Sequence, residues 1–393
     1  MKLTNTLLIS NVTIVNHDQV PFVGDVLIEN GQIKKVEKAI TVVTERYINA
    51  KGKGWLLFPG YIDVHIHGSS GNDVMDATEE ALHRMGQSLV KEGVTGFLAT
   101  TMTQHSAVIE KALANIAQFE SRLDEAELLG VHVEGPYISE RRAGAQPTAH
   151  IKLPSISQFN QWQELSGKRI KQITVAPEVE GGFEFIKELS EQGIIVSIGH
   201  SDATAEEVEK AVKLGAKQAT HIFNQMRPFH HREPGVVGSV LVDDHVKVEV
   251  IVDFVHSHPK AVELVYRLKG ASGIILMTDA MRAKGLPYGA YDLGGQTVSV
   301  THKGVHLPNG ALAGSVLTME LAVKNMQAVT NCSLQELVAM SSTNAAKQLQ
   351  LATKGYIAEG FDADLVLVDR QLNVQKTICR GSVVFENPEE ERV

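Results

Sequence analysis

Two histidines one residue apart, His65 and His67, close the stretch Phe58-Pro59-Gly60-Tyr61-Ile62-Asp63-Val64-His65-Ile66-His67-Gly68. The stretch reads as a short apolar strand, and side chains two apart on a strand leave the same face. The two imidazoles therefore project together from the strand's end, where such a pair can hold one metal ion. Taken alone, a His-x-His pair is as ordinary on a solvated strand face as at a metal. Downstream, further apolar runs end in Glu134 (Val131-His132-Val133-Glu134), His200 (Val196-Ser197-Ile198-Gly199-His200), His221 (Ala219-Thr220-His221) and Asp279 (Leu276-Met277-Thr278-Asp279). Four imidazoles with a carboxylate suit Zn²⁺ or a similar borderline ion better than Mg²⁺ or Ca²⁺. The donors outnumber what one tetrahedral site with an open position needs, and two ions bridged by Glu134 account for the surplus. Asp279 is then free to take a proton from an activated water and return it to a leaving group.

Donors at the ends of successive strands need a fold that gathers strand ends. Apolar strand candidates lie at 61–66, 94–100, 128–133, 172–176, 194–198, 218–223, 247–252 and 273–278, with helical patterns at 78–92, 106–120, 182–192, 204–215 and 259–269. Eight strands alternating with helices predict an α/β fold, a (β/α)₈ TIM-like barrel whose active site opens at the carboxyl ends of the strands. Residues 279–313 are irregular and Gly-rich, an inserted hairpin or a loop over the barrel mouth. Helices are expected at 315–330 and 333–350, the second opened by a capping box at Ser333. Both ends of the chain read as β, with Asn30-Gly31 as a hairpin turn. The expectation is a catalytic barrel over 58–351 and a small β-sandwich domain built from 1–57 plus 352–393.

Composition sets the outer bounds. A chain of 393 residues, 43% hydrophobic and 21% charged, has the make-up of a soluble globular protein with a large core. A net charge of −9 argues against nucleic acid or an anionic membrane as partner. Two cysteines form no framework or finger, which points to a reducing, cytoplasmic setting. No signal-peptide core and no membrane-length apolar run is legible.

These motifs resemble the amidohydrolase superfamily and, within it, the N-acetylglucosamine-6-phosphate deacetylase family. The likeness spans the chain. Its most specific segments are His132-Val133-Glu134-Gly135-Pro136, Thr220-His221-Ile222-Phe223-Asn224, His231-Arg232-Glu233-Pro234-Gly235 and Leu312-Ala313-Gly314-Ser315. The resemblance implies metal-dependent hydrolysis of the acetamide of N-acetylglucosamine-6-phosphate to glucosamine-6-phosphate and acetate, in amino-sugar catabolism and cell-wall recycling. It implies one or two divalent ions, Zn²⁺ first and Fe²⁺, Mn²⁺ or Co²⁺ as alternatives. His65, His67 and Glu134 would hold one; Glu134, His200 and His221 would hold the other. Asp279 would be the general base and then acid. Ala145, Asn224, Gln225, His256 and the backbone at Leu312 and Ala313 would hold the sugar phosphate. Arg232 would reach the phosphate across the interface of a homodimer. Gln225 stands where many members have Ala, Gln146 where some have His, and Phe254 where Gly is usual, so substrate contacts carry over less directly than the metal ligands.

Two other enzyme readings and one non-enzyme reading compete. Cyclic-amide hydrolases of the superfamily commonly bridge their metals with a carboxylated lysine at the fourth strand's end, and here that end reads Val175-Ala176-Pro177-Glu178. N-acetylgalactosamine-6-phosphate differs from the first substrate at one hydroxyl. A catalytically dead scaffold on the same fold should have lost ligands, and every proposed ligand is present.

Overall fold

The structure is a computed structural model and describes residues 6–388. Its centre is a set of eight parallel strands: Tyr61–Ile66, Val94–Thr101, Glu127–Glu134, Ile170–Val175, Ile195–Ile198, Gln218–Ala219, Lys247–Val250 and Ile274–Leu276. Most of their residues are buried on both faces, as expected of strands enclosed by helices. Each neighbouring pair is hydrogen-bonded except the first and eighth, where the ring closes by other means. The Asp279 amide donates to the His65 carbonyl (2.9 Å) and the His67 amide to the Ala280 carbonyl (2.9 Å). The buried Asp63 carboxylate accepts the Thr278 hydroxyl at 2.6 Å. At the opposite end of this seam, the Ser342 hydroxyl serves the Pro59 and Gly60 carbonyls (3.1 and 2.8 Å). The seam's hydrogen bonds therefore hold the His-x-His strand and Asp279 side by side.

The last strands are shorter than their apolar runs suggest. The sixth covers only Gln218–Ala219, because His221, Phe223 and Gln225 all take positive φ and turn the chain off the sheet. The final helix begins at Ser333 with the expected capping box, but it is Leu334–Val338, a π-helical turn Ala339–Thr343 and Asn344–Gln348 in series. Two helices were not legible. Ile156–Leu165 buries only Phe159 and Trp162, too sparse a stripe to show. Gly235–Val242 is apolar on nearly every side, with two glycines, and so shows no amphipathic stripe. The 279–313 region holds a three-stranded antiparallel sheet, Gly289–Leu293, Gln296–Thr301 and Gly304–His306, packed on its own apolar cluster with Met102 and Met281.

Both ends of the chain meet in one continuous eight-stranded sheet. Thr6–Ile14 pairs with Phe22–Glu29, Arg46–Asn49 and Leu56–Pro59, and the last of these pairs with Leu365–Val368. Asn30 and Gly31 have φ of 51° and 85°, the turn geometry their types favour. The sheet folds about a separate core of Leu7, Ile9, Trp55, Leu57, Leu365 and their neighbours. Leu56–Pro59 belongs to this sheet, and the chain enters the barrel at Gly60.

Candidate metal centre and active site

His65 and His67 leave the first barrel strand toward the inside of the ring and are buried. Glu134 is the last residue of the third strand. His200, His221 and Asp279 lie just beyond the fifth, sixth and eighth, at φ of 45°, 34° and 47°. Left-handed backbone at a non-glycine residue costs about 1–3 kcal/mol and persists only where its surroundings impose it. Here it swings three side chains inward from strands that have already ended. Gly199 makes this approach possible: a Cβ there would sit 2.6 Å from that of Thr220.

The donors converge on Glu134. Its Oε1 lies 3.4 Å from His65 Nε2, 3.2 Å from His200 Nε2 and 3.0 Å from His221 Nε2. Its Oε2 lies 3.2 Å from His67 Nε2 and accepts the Gln146 amide at 2.6 Å. Gln146 is itself fixed, because its oxygen accepts the Thr103 backbone amide at 2.8 Å. Asp279 Oδ1 stands 3.3 Å from His67 Nε2 and 3.5 Å from His65 Nε2. The donors fall into two compact groups, His65 with His67 and Asp279, and Glu134 with His200 and His221. The first group thus includes Asp279, a carboxylate the sequence reading reserved for proton transfer.

This donor set fits divalent cations. Nε2 atoms and carboxylate oxygens about 2.1 Å from one tetrahedral ion stand about 3.4 Å apart, close to the spacings here. The tautomers agree. His200 Nδ1 donates to the Arg142 carbonyl (2.8 Å), so in the neutral ring its Nε2 is a bare lone pair. That lone pair faces His221 Nε2 at 3.1 Å and the Glu134 carboxylate, an arrangement that asks for a cation between them. His65 Nε2 and His67 Nδ1 are buried without a hydrogen-bond partner. The charges around these rings make the same demand for positive charge. Burial alone would lower His67, but its hydrogen bonds to Asp279 and Glu134 push it up to about 9. His65 is likewise raised, against burial, by Glu134 and Asp279. Burial alone would raise Glu134, yet His65 and the His200 and His221 hydrogen bonds hold it well below the usual carboxylate range. Asp279 is lowered by His65 and His67 against the same opposing effect.

The centre forms the floor of a cavity of about 330 Å³. Ala145, Asn224, Gln225, His256 and Leu312 line it, together with Gln146, Met102, Leu293, Gly310 and Gly314. Asn224 donates its amide to the His221 and Ile222 carbonyls (3.3 and 3.2 Å), leaving its side-chain oxygen for a ligand. His256 Nδ1 bonds Asp253 at 2.7 Å, which orients the ring; burial alone would lower it, and Asp253 raises it. Ala313 is buried behind the wall, in the apolar cluster under the three-stranded sheet. Arg232 is exposed and does not line its own chain's cavity; its guanidinium rests on His231 at 3.0 Å. A larger open groove, about 630 Å³, runs past Glu140, Lys152, Glu180 and Arg227. It gathers no imidazoles, so volume does not choose the site here. Sequence reasoning missed Glu249, whose carboxylate meets His65 Nδ1 at 3.0 Å, and did not foresee that Gln146 would hold Glu134. Among the described residues no helix is long and apolar enough to cross a membrane.

The amidohydrolase family model matches residues 56–384. N-acetylglucosamine-6-phosphate deacetylase of Lysinibacillus sphaericus is 54% identical over 379 residues, 96% of this chain and 97% of that one. The enzyme of the same name from Bacillus subtilis (strain 168) is 44% identical over 402 residues and the full length of both. A crystal structure of N-acetylglucosamine-6-phosphate deacetylase from Thermotoga maritima superposes with a TM-score of 0.87 at 40% identity, covering 97% of this chain and all of that one.

Proposed function

The chain belongs to the amidohydrolase family, and we propose from that premise that it hydrolyses the acetamide of N-acetylglucosamine-6-phosphate to glucosamine-6-phosphate and acetate. The observation that carries this reading is the meeting of His67, His200 and His221 with Glu134 and Asp279 on the wall of one cavity, with His65 buried directly behind them. We assign His65, His67 and Glu134 to one divalent ion and Glu134, His200 and His221 to a second. Zinc is the first choice, with Fe²⁺, Mn²⁺ or Co²⁺ suited to the same donors. What a bound ion supplies is Lewis-acid polarisation of the amide carbonyl and a water of lowered pKa.

The remaining steps fall to side chains. An amide nitrogen leaves only once protonated. Asp279, held in its basic form beside His65 and His67, takes the proton of the attacking water and passes it to that nitrogen. His256, oriented by Asp253, presents its other nitrogen to a substrate oxygen, and the Asn224 oxygen receives a substrate donor. The cavity lining contains no Lys or Arg. The phosphate therefore needs a cation from elsewhere, and an exposed Arg232 supplied by a second copy of the chain in a homodimer answers that need. We place the enzyme in the cytoplasm; two free, buried cysteines, Cys332 and Cys379, support a reducing setting. We divide the chain into a small unit of both chain ends, which takes in the strand Leu56–Pro59, and a catalytic unit from Gly60 to about residue 351, two residues later at its start than the sequence suggested.

Acetate release tests the reading. N-acetylglucosamine-6-phosphate should be cleaved fastest, ahead of the unphosphorylated sugar and of N-acetylgalactosamine-6-phosphate, and a chelator should abolish release. No acetate from any of the three with metal-replete protein would overturn the deacetylase assignment. The galacto epimer is not favoured, given the names of the two full-length relatives.

A further inference from the structure

Beneath the proposed metal centre lies a fully buried carboxylate that the reaction above does not use. Glu249 is the third residue of Lys247–Val250 and is wholly enclosed. Its Oε1 accepts the amides of Gln172 (2.7 Å) and Gln218 (2.5 Å). Its Oε2 meets His65 Nδ1 at 3.0 Å and the His221 backbone amide at 3.4 Å. Gln218 also donates to the Gln172 oxygen at 2.8 Å, which fixes both carboxamides with their nitrogens toward Glu249. An ionised carboxylate offers about four acceptor positions; three are taken by the Gln172, Gln218 and His221 donors, and the fourth faces His65 Nδ1. The three donors set Glu249 as an acceptor on both of its oxygens.

The consequence falls on His65. With a carboxylate oxygen already set as acceptor at Nδ1, the neutral, ligating ring carries its hydrogen there and leaves Nε2 as the lone pair, on the side where Glu134 and Asp279 gather. His200 is oriented more weakly, by the neutral Arg142 carbonyl. We propose that Glu249 is a positioning residue that fixes the tautomer and orientation of His65, so that ion occupancy at the His65–His67 group depends on it while occupancy at His200–His221 depends on it far less. The inference rests on the metal assignment made above. Carboxylates behind metal-binding histidines typically contribute 10–100-fold in metal affinity.

The test is metal content against a competing chelator, measured on Glu249→Gln, His65→Ala and the double variant with zinc. Wild type is expected to hold two ions per chain. Glu249→Gln should lose one of them at a chelator concentration about tenfold or more below the wild-type midpoint, and should keep the other. In the His65→Ala background the Glu249 substitution should change nothing further. Two ions held as tightly in Glu249→Gln as in wild type would overturn the proposal, as would equal loss of both ions from folded protein, or an additive effect in the double variant. If wild type itself binds no ion at this centre, the metal assignment fails first, which separates the two failures. A second measurement needs no variant beyond His65→Ala, which assigns the signal. Histidine-selective ¹⁵N spectra of zinc-loaded wild type should show His65 carrying its hydrogen on Nδ1, and a hydrogen on Nε2 would overturn the proposal whatever the variants do.

Discussion

Replacing Asp279 by Asn separates proton transfer from metal holding. The backbone at this position is anchored without the side chain: its amide donates to the His65 carbonyl at 2.9 Å and its carbonyl accepts the Ser315 amide at 2.7 Å. Its φ of 47° lies in the left-handed region, which Asn enters more readily than other non-glycine residues. The substitution therefore keeps shape and backbone and removes only the carboxylate's charge and basicity. A positioned general base contributes about 10²–10⁴-fold, or about 2.7–5.5 kcal/mol of barrier. Asp279→Asn should lose that factor in kcat, with KM little changed. Because Asp279 Oδ1 also stands 3.3–3.5 Å from His65 and His67 Nε2, metal content must be measured in the same samples. Acetate release at matched metal content is the deciding assay. Turnover within threefold of wild type would remove Asp279 from proton transfer, and full recovery with excess metal would make it a ligand only.

Two other outcomes are expected. Arg232→Ala should raise KM for N-acetylglucosamine-6-phosphate by tenfold or more while leaving the unphosphorylated sugar nearly unaffected; equal effects on both would exclude Arg232 as the phosphate contact. Metal binding should release protons: His67, raised to about 9 in the ion-free site, is protonated at pH 7.5 and must lose its proton to become a ligand. Apparent affinity should then fall as pH drops below about 9, up to tenfold per unit for each proton displaced. Calorimetry in buffers of different ionisation heat reads that release, and a proton count of zero would contradict the raised value.

The chemistry was legible because a barrel sends its functional side chains to the ends of apolar strands, and such runs are conspicuous in sequence. His65, His67, Glu134, His200, His221 and Asp279 were all found by asking what each run ended with, and they lie together. The lengths of the runs misled in one respect. Ala219 to Phe223 is apolar enough to read as strand, but at His221 the chain has already left the sheet in a left-handed turn. Apolar pattern reports burial, and a buried turn at a barrel rim is apolar too. Arg232 illustrates a different case: it lies exposed outside its own chain's cavity, and a motif rather than any strand end singled it out.

Glu249 was illegible for a physical reason that bears on how the centre works. In Lys247-Val248-Glu249-Val250 the alternation reads as a strand with one face in water, and in most sheets that inference is sound. Inside a closed ring the polar face points to the axis, where Gln172, Gln218 and Glu249 make a layer with no access to solvent. The same holds one layer over, where His132 bonds Thr174, and Thr174 and Ser197 both bond Thr220. Buried polar layers are costly unless fully paired. Here the pairing is extensive though Gln218 Oε1 and His132 Nδ1 stand outside it; it leaves each member few alternative positions, and the imidazoles resting on it inherit that rigidity. The floor of the barrel thus serves to hold the ring nitrogens 3.0–3.5 Å from the Glu134 and Asp279 oxygens, where a cation can take the place of the protons those rings give up.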